Sequence, residues 1–340
     1  MRNRRALRNA CILLLFAANG DAAVTFDRDF SPLEGMVRPP EEPFRQEICL
    51  NGRWQFQPVS VPEDWVRDRG TPPELRLPDE GKWEATPIKI PSPWNINALG
   101  HDPKGGGMDS RTFPSYPESW NRAEMGWLRR SVTVPESWKG RRLLLHLEAV
   151  AGDCRILING HEAGFHFDTS LPGTFDITPL VVWGKENEIL LGIRHQRLYA
   201  EAGTYGKLTC PTGSWLEAAV GVWQDVYLLA VPGVRVTDVF LKPSLDEDTL
   251  VAEVEILNAS QARQIVAIEI PVHGWINRAD TSKENMLKAP ESEWSLGQEA
   301  LRFPPAEVVL GPGESSTVTL RVEVNGRLER WEVWPRGKPR

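Results

Sequence analysis

Gly126-Trp127-Leu128-Arg129-Arg130, Pro135-Glu136-Ser137-Trp138-Lys139-Gly140, Ile156-Leu157-Ile158-Asn159-Gly160-His161 and Phe175-Asp176-Ile177-Thr178 are the landmarks of the stretch that decides the fold, residues 126–180. Leu143, Leu145 and Leu147 alternate with Leu144, His146 and Glu148, the period of a strand with one face inward. Cys154, Ile156 and Ile158 alternate in the same way and run into Asn159-Gly160. Asn-Gly favours a type I′ turn, in which both central residues need φ > 0, so a hairpin is expected there. Glu162–Phe167 would be its return strand, with His161 and His166 as surface polar residues.

Working outward, strands are expected at Gln46–Phe56, Leu128–Val134, Leu143–Val150, Arg155–Ile158, Ile189–His195 and Val226–Val231. Within the first, Trp54 and Phe56 alternate with Arg53, Gln55 and Gln57. Residues 24–45 are rich in proline and charge and read as an extended lead-in. Residues 58–82 are polar and proline-rich and read as an insertion. Residues 99–124 read as a long loop carrying Phe113, Tyr116 and Trp120, and a loop of that length in a compact domain tends to be functional. Many short strands with Gly/Pro turns and almost no helical period imply an all-β sandwich over 46–232. Pro232-Gly233 punctuates the chain. A second strand series follows at Val234–Lys242, Thr249–Leu257, Gln264–Pro271, Glu307–Leu310 and Ser316–Val324, which reads as an immunoglobulin-like sandwich over 233–340.

Composition bounds the function. The chain has 340 residues, 41% of them hydrophobic, enough for two cores, and a net charge of −7 with no basic stripe for nucleic acid. Fourteen Trp stand against four Tyr. Indole faces can stack on pyranose rings, although packing accounts for most tryptophans in a β protein. Residues 1–23 read as a signal peptide: Arg2, Arg4, Arg5 and Arg8 precede an apolar run from Ala10 to Ala18 that is too short to span a bilayer. Export to the periplasm or the extracellular space is therefore expected, with no membrane-resident segment. Of the four cysteines Cys11 falls within residues 1–23; the remaining Cys49, Cys154 and Cys210 are widely spaced and odd in number, which favours buried thiols over a disulfide framework. No Cys/His spacing suits zinc, and no metal or cofactor is expected. The chain has no Gly-x-Ser-x-Gly elbow and no His-Glu-x-x-His, and Gly105-Gly106-Gly107 lacks the strand–helix setting of a phosphate loop.

Several pieces together resemble one family. They are Leu50-Asn51-Gly52-Arg53-Trp54-Gln55-Phe56, Pro91-Ser92-Pro93-Trp94, Trp138-Lys139-Gly140, Asn159-Gly160, Phe175-Asp176-Ile177-Thr178 and Gly221-Val222-Trp223-Gln224-Asp225-Val226. In this order they resemble the N-terminal jelly-roll domain of glycoside hydrolase family 2, which includes β-galactosidases, β-glucuronidases and β-mannosidases. Arg330–Gly337 is similar to the segment that leads from that family's immunoglobulin-like domain into its catalytic barrel.

The resemblance implies a galactose-binding-like jelly roll followed by an immunoglobulin-like sandwich. It also implies that the two catalytic glutamates belong to a barrel, so no catalytic residue is expected within 46–337. Asn187-Glu188 copies the family's acid/base dipeptide but sits in a strand-entry turn. In several relatives an acidic residue six positions before the signature glycine touches the sugar; here that position is Trp215, and the nearest acid is Glu217. Trp215, Glu217, Trp120 and Tyr116 are the candidates for contact with sugar or with a barrel. Asp168 and Asp176 could serve a lectin-like calcium site, but the resemblance assigns Asp176 to a turn. The expected partners are a β-glycoside or polysaccharide and a catalytic barrel. The alternatives are a stand-alone carbohydrate-binding module, or a structural partner of a separate catalytic chain.

Overall fold

The computed structural model describes residues 35–37, 41–66, 72–98, 116–199, 219–277 and 294–329. The first strand series comprises β1 (Gln46–Cys49), β2 (Gly52–Val59), β3 (Ile88–Ile90), β4 (Met125–Thr133), β5 (Arg142–Leu147), β6 (Val150–Ala151), β7 (Asp153–Ile158), β8 (His161–His166), β9 (Gly173–Asp176), β10 (Glu186–Arg194), β11 (Gly221–Val222) and β12 (Val226–Val231). The second comprises β13 (Val234–Ser244), β14 (Thr249–Asn258), β15 (Gln264–Ile268), β16 (Pro271–Asn277), β17 (Trp294–Arg302), β18 (Ala306–Leu310) and β19 (Ser315–Glu323). Short 3-10 turns are the only helical elements among the described residues, so the fold is all-β, as expected.

In the first series a four-stranded sheet, β1-β12-β5-β9, packs on a six-stranded one, β3-β2-β4-β10-β7-β8. The segment expected as one strand, Gln46–Phe56, splits. β1 pairs with β12 in one sheet, and β2 pairs with β3 and β4 in the other. Gly52 sits at the crossing with φ 109, a backbone conformation open mainly to glycine. Trp54 and Phe56 point inward as the alternation requires, joining Trp94, Trp120, Leu128, Leu145, Ile156, Leu191 and Leu228 in one core. Each such side chain stabilises by about 1.5–3 kcal/mol when fully buried.

Three findings correct the sequence reading. First, β5 does not have one wet face, because Leu144 and His146 are buried along with their neighbours. Leu144, Tyr227, Leu229 and Val231 form a second cluster on the outer side of the sheet, covered by Met36, Val37 and Cys49. Glu47 fixes that cover by accepting from the backbone N–H groups of Met36 and Val37 at 2.8 and 2.9 Å. Second, part of the proline-rich stretch 58–82 is structural. Val59, Val61, Trp65 and Leu75 pack with Trp127, Leu157 and Leu190 on the outer face of the larger sheet. Third, His166 is not a surface residue; it is 7% exposed, opposite Cys154 in the β7–β8 ladder. A register shift between Ile156 and Leu157 re-aims that ladder, while His161 stays exposed. At the turn itself, Asn159 and Gly160 have φ 50 and 79, the signature of a type I′ turn. Cys154 is a buried free thiol, its pKa pushed well up by burial, and Cys210 lies outside the described residues.

The second series has its own core, with Leu250, Ala252, Val254, Ile256, Ile268, Leu301, Phe303, Leu310 and Leu320. A three-stranded sheet, β13-β14-β19, supplies one layer. The antiparallel pairs β15-β18 and β16-β17 supply the other. β16 and β17 were not legible in the sequence.

Candidate functional site

The family-like residues are hydrogen-bond staples. Asn51, in the turn between the sheets, donates to Asp225 Oδ1 at 2.7 Å and accepts from the Val226 N–H at 3.1 Å. It thereby ties the first strand to the last. Asn159 and Asn187 bond side chain to side chain at 2.8 Å. Asn187 also accepts from Val182 N–H and donates to Val182 and Lys185 carbonyls, and it is 1% exposed. Asn187 and Glu188 both lie at the start of β10, where Asn187 fastens the turn before the strand and Glu188 sits beside Arg129 at 3.7 Å. Asp176 holds the Thr178 N–H and hydroxyl with one oxygen and Arg142 with the other. Burial would raise its pKa, but the Thr178 and Arg142 hydrogen bonds lower it on balance. Asp168 caps its own turn, accepting from Ser170 and Leu171 N–H at 2.8 Å each. These carboxylates serve turns, and no group of three His, Cys, Asp or Glu side chains suited to a metal occurs among the described residues.

Polar groups concentrate at one end of the larger sheet. Asp153 and Arg194 are cross-strand neighbours on β7 and β10. Arg194 Nε donates to Asp153 Oδ2 at 2.9 Å, one terminal nitrogen donates to Pro73 O at 2.9 Å, and the other to Tyr199 Oη at 3.2 Å. The Tyr199 hydroxyl closes the network with a short bond to Asp153. Asp153 is 1% exposed; burial raises its pKa, and the Arg194 charge opposes the rise. Beside this network Thr169 donates to Gln196 Oε1 at 3.3 Å, and Trp223 Nε1 donates to Thr169 O at 3.1 Å. Nε2 of His166 and Nε2 of Gln196 are both buried with no hydrogen-bond partner among the described residues.

The described residues flanking 99–115 and 200–218 meet at this end. The His195 N–H donates to Glu124 O at 2.7 Å, Trp94 N–H to Val220 O at 3.1 Å, and Val220 N–H to Asn95 Oδ1 at 3.1 Å. Gly221, with φ 123, lies so close to Trp94 that a Cβ would stand 3.1 Å from the indole.

On the outer face, Arg194 also lines a shallow cleft of about 330 Å³ together with Glu74, Leu75, Arg155, Glu162 and Phe165. Phe165 is 49% exposed and Arg155 bonds Glu162. A half-exposed ring beside paired guanidinium and carboxylate groups offers an apolar platform and forked hydrogen bonds, the chemistry that holds a polyhydroxylated ring. Nothing in the sequence pointed to it. Phe165 occupies an ordinary strand position, and Glu74 comes from the stretch read as an insertion.

The four candidate residues fare differently. Trp120 is fully buried, edge-on to Phe56 at 4.7 Å, and has no open face for a sugar. Tyr116 is 6% exposed; its hydroxyl accepts from Lys89 N–H at 2.8 Å, and burial pushes its pKa up to about 12. Both pack the core in this structure, because the aromatic end of the loop folds under the sheet as a 3-10 turn over Glu118–Arg122. Trp215 and Glu217 lie outside the described residues.

A β-sandwich of a four-stranded on a six-stranded sheet, with turns fastened by Asn and Asp side chains and polar groups gathered at one end, is a jelly-roll-type module. The particular family follows from direct comparison. Residues 48–232 match the model of the glycosyl hydrolases family 2 sugar binding domain, and the chain belongs to that family. It is 26% identical over 163 residues to a β-galactosidase of Halalkalibacterium halodurans, a match covering 46% of this chain and 14% of that protein. It is 26% identical over 237 residues to a β-galactosidase of Yersinia pestis, covering 64% of this chain and 19% of that protein. Among solved structures, β-glucuronidase 2 of Bacteroides uniformis shares the fold with a TM-score of 0.51 and 20% identity, covering 82% of this chain and 28% of that one. The chain therefore spans less than a fifth of the length of these curated relatives.

Proposed function

We propose that this chain is the non-catalytic, sugar-contacting N-terminal part of an exported family 2 glycoside hydrolase acting on β-glycosides, and is inactive by itself. The observation that carries the reading is the arrangement at the Arg194 end. Buried polar groups brace the strands there, and a cleft with a half-exposed phenyl ring opens beside them. The carboxylates of that cleft are poor catalytic candidates. Glu162 is ion-paired with Arg155, Glu74 lies 3.8 Å from Arg76, and both are more than half exposed. Two carboxyl groups of a retaining glycosidase work about 5 Å apart in a site that sets one of them apart as the acid. In the family that pair belongs to the barrel.

Export rests on the basic and apolar character of residues 1–23. A fusion of those residues to alkaline phosphatase should be active outside the cytoplasm. Titrating the purified chain with oligosaccharides while following tryptophan fluorescence tests sugar contact. Binding is expected, weakened by Phe165→Ala, with no turnover of aryl β-galactoside, β-glucuronide or β-mannoside. Turnover abolished by changing one acidic residue within 46–337 would overturn the assignment as non-catalytic.

A further inference from the structure

The longest exposed apolar feature among the described strands is β13. It is an edge strand, hydrogen-bonded to β14 on one side and to no described strand on the other. Every residue from Val236 to Pro243 is exposed. Val239 and Leu241 are directly opposite Val254 and Ala252 and so point to the core side of the sheet, yet each is 49% exposed. Their β14 neighbours are 2% and 0% exposed. Asp238, Phe240 and Lys242 lie on the other face, with Phe240 55% exposed and the Lys242 ammonium 5.3 Å from its ring centroid. An unpaired strand of this length presents a row of N–H and C=O groups that another strand can take.

The order of side chains along this edge is self-complementary. In an antiparallel pair, residues directly opposite share a face and stand close enough to interact. If β13 is set against itself with Phe240 opposite Phe240, then Asp238 falls opposite Lys242 twice, and Val239 falls opposite Leu241 twice. Charges of opposite sign flank an aromatic pair on one face, while aliphatic side chains pair on the other. Shifting the register by one residue places Asp238 opposite Leu241 and Val239 opposite Phe240, and a further shift places Asp238 opposite Phe240. Only the Phe240-centred register pairs both charges and both apolar rows. Such a contact is two-fold symmetric and closes on itself. Pro243 falls opposite Thr237, where β13 already breaks register between Val236 and Asp238, so the regular ladder about Phe240 is confined to residues 238–242 and the missing N–H meets an irregular position.

We propose that β13 is a homodimerisation edge, pairing antiparallel with β13 of a second copy of this chain about Phe240, so that two three-stranded sheets join into one of six strands. This is independent of the sugar-contacting role, since the cleft lies on the first sandwich.

Sedimentation equilibrium of the full chain, up to about 100 µM, should show reversible dimers. Asp238→Lys places like charges opposite each other twice and should weaken dimerisation by about tenfold. Lys242→Asp should do the same, and the double exchange D238K/K242D should restore it. Circular dichroism and thermal melting of each variant guard against a folding defect. Register is read independently with cysteine. F240C should give a disulfide-linked dimer under mild oxidation, whereas K242C, whose opposite residue is Asp238, should not. A monomer at all concentrations overturns the proposal. So does a dimer indifferent to both charge reversals, or a complex in which β13 is taken up by a strand of a different polypeptide.

Discussion

β12 and β13 are separated by Pro232 and Gly233 alone, and their fates are opposite. All six residues of β12 are buried, while eight consecutive residues of β13 are exposed. Their sequences do not foretell this, since Val226-Tyr227-Leu228-Leu229-Ala230-Val231 and Val236-Thr237-Asp238-Val239-Phe240-Leu241 are both strand-like and apolar. Position decides it. β12 runs between β1 and β5, with the main core on one face and the Met36/Val37 cover on the other. β13 is the outermost strand of its sheet. Burial is thus a property of the layers around a strand as much as of its residues.

Several changes would break or sharpen that contrast. The largest effect is expected where burial is completed by charge. Arg194→Ala leaves Asp153, 1% exposed, without its cation and should destabilise by about 3–5 kcal/mol, read by urea denaturation. A wild-type midpoint would mean that the network does not brace the first sandwich. Next, Leu228→Ala in β12 should cost about 2–5 kcal/mol, whereas Leu241→Ala in β13 should cost no more than about 0.5 kcal/mol in the monomer. Equal costs would refute the difference between the two strands. Asn187→Ala removes the four hydrogen bonds by which a buried side chain of β10 holds Asn159 and the turn before the strand, and about 1–3 kcal/mol should be lost in the same assay.

The smallest effect is a pH dependence at Glu148. Burial, then the nearby Asp225 charge, raises its pKa above 4.5. A carboxyl held higher in the folded state contributes stability that is full below pH 4.5 and is lost as pH rises through the folded value. Glu148→Gln should therefore raise Tm relative to wild type at pH 7.5 but not at pH 4. A gain of the same size at both would refute the electrostatic cause.

Much of the first sandwich was legible because its strands obey a period of two and its turns use Asn-Gly and Gly. β12 was expected at its observed bounds, and Asn159-Gly160 turns as its chemistry demands. The failures share a physical origin, namely tertiary cover that no local pattern announces. Leu144 stands on the face that alternation assigns to solvent, yet Met36 and Val37 cover it, while His146 on the same face is buried with a bond to the Thr174 hydroxyl. Leu75 and Trp65 are single apolar residues in a polar stretch, so nothing periodic marked them as a lid over Trp127. The site was the least legible part. Aromatic content drew attention to Trp120 and Tyr116, which the core claims, while the cleft is assembled from residues as far apart as Glu74 and Arg194.

The pairing of β1 with β12 has a mechanical consequence. Because the strands are antiparallel, Gln46 lies beside Ala230, so the entry and exit of the first sandwich are at the same end of one ladder. A pull on the chain from both sides would load those bonds one at a time, like a zipper, instead of all at once in shear. The sandwich should therefore yield at low force from its termini. β10, paired with β4 along its whole length and with β7 from Ile189 to Arg194, should be the part that holds longest.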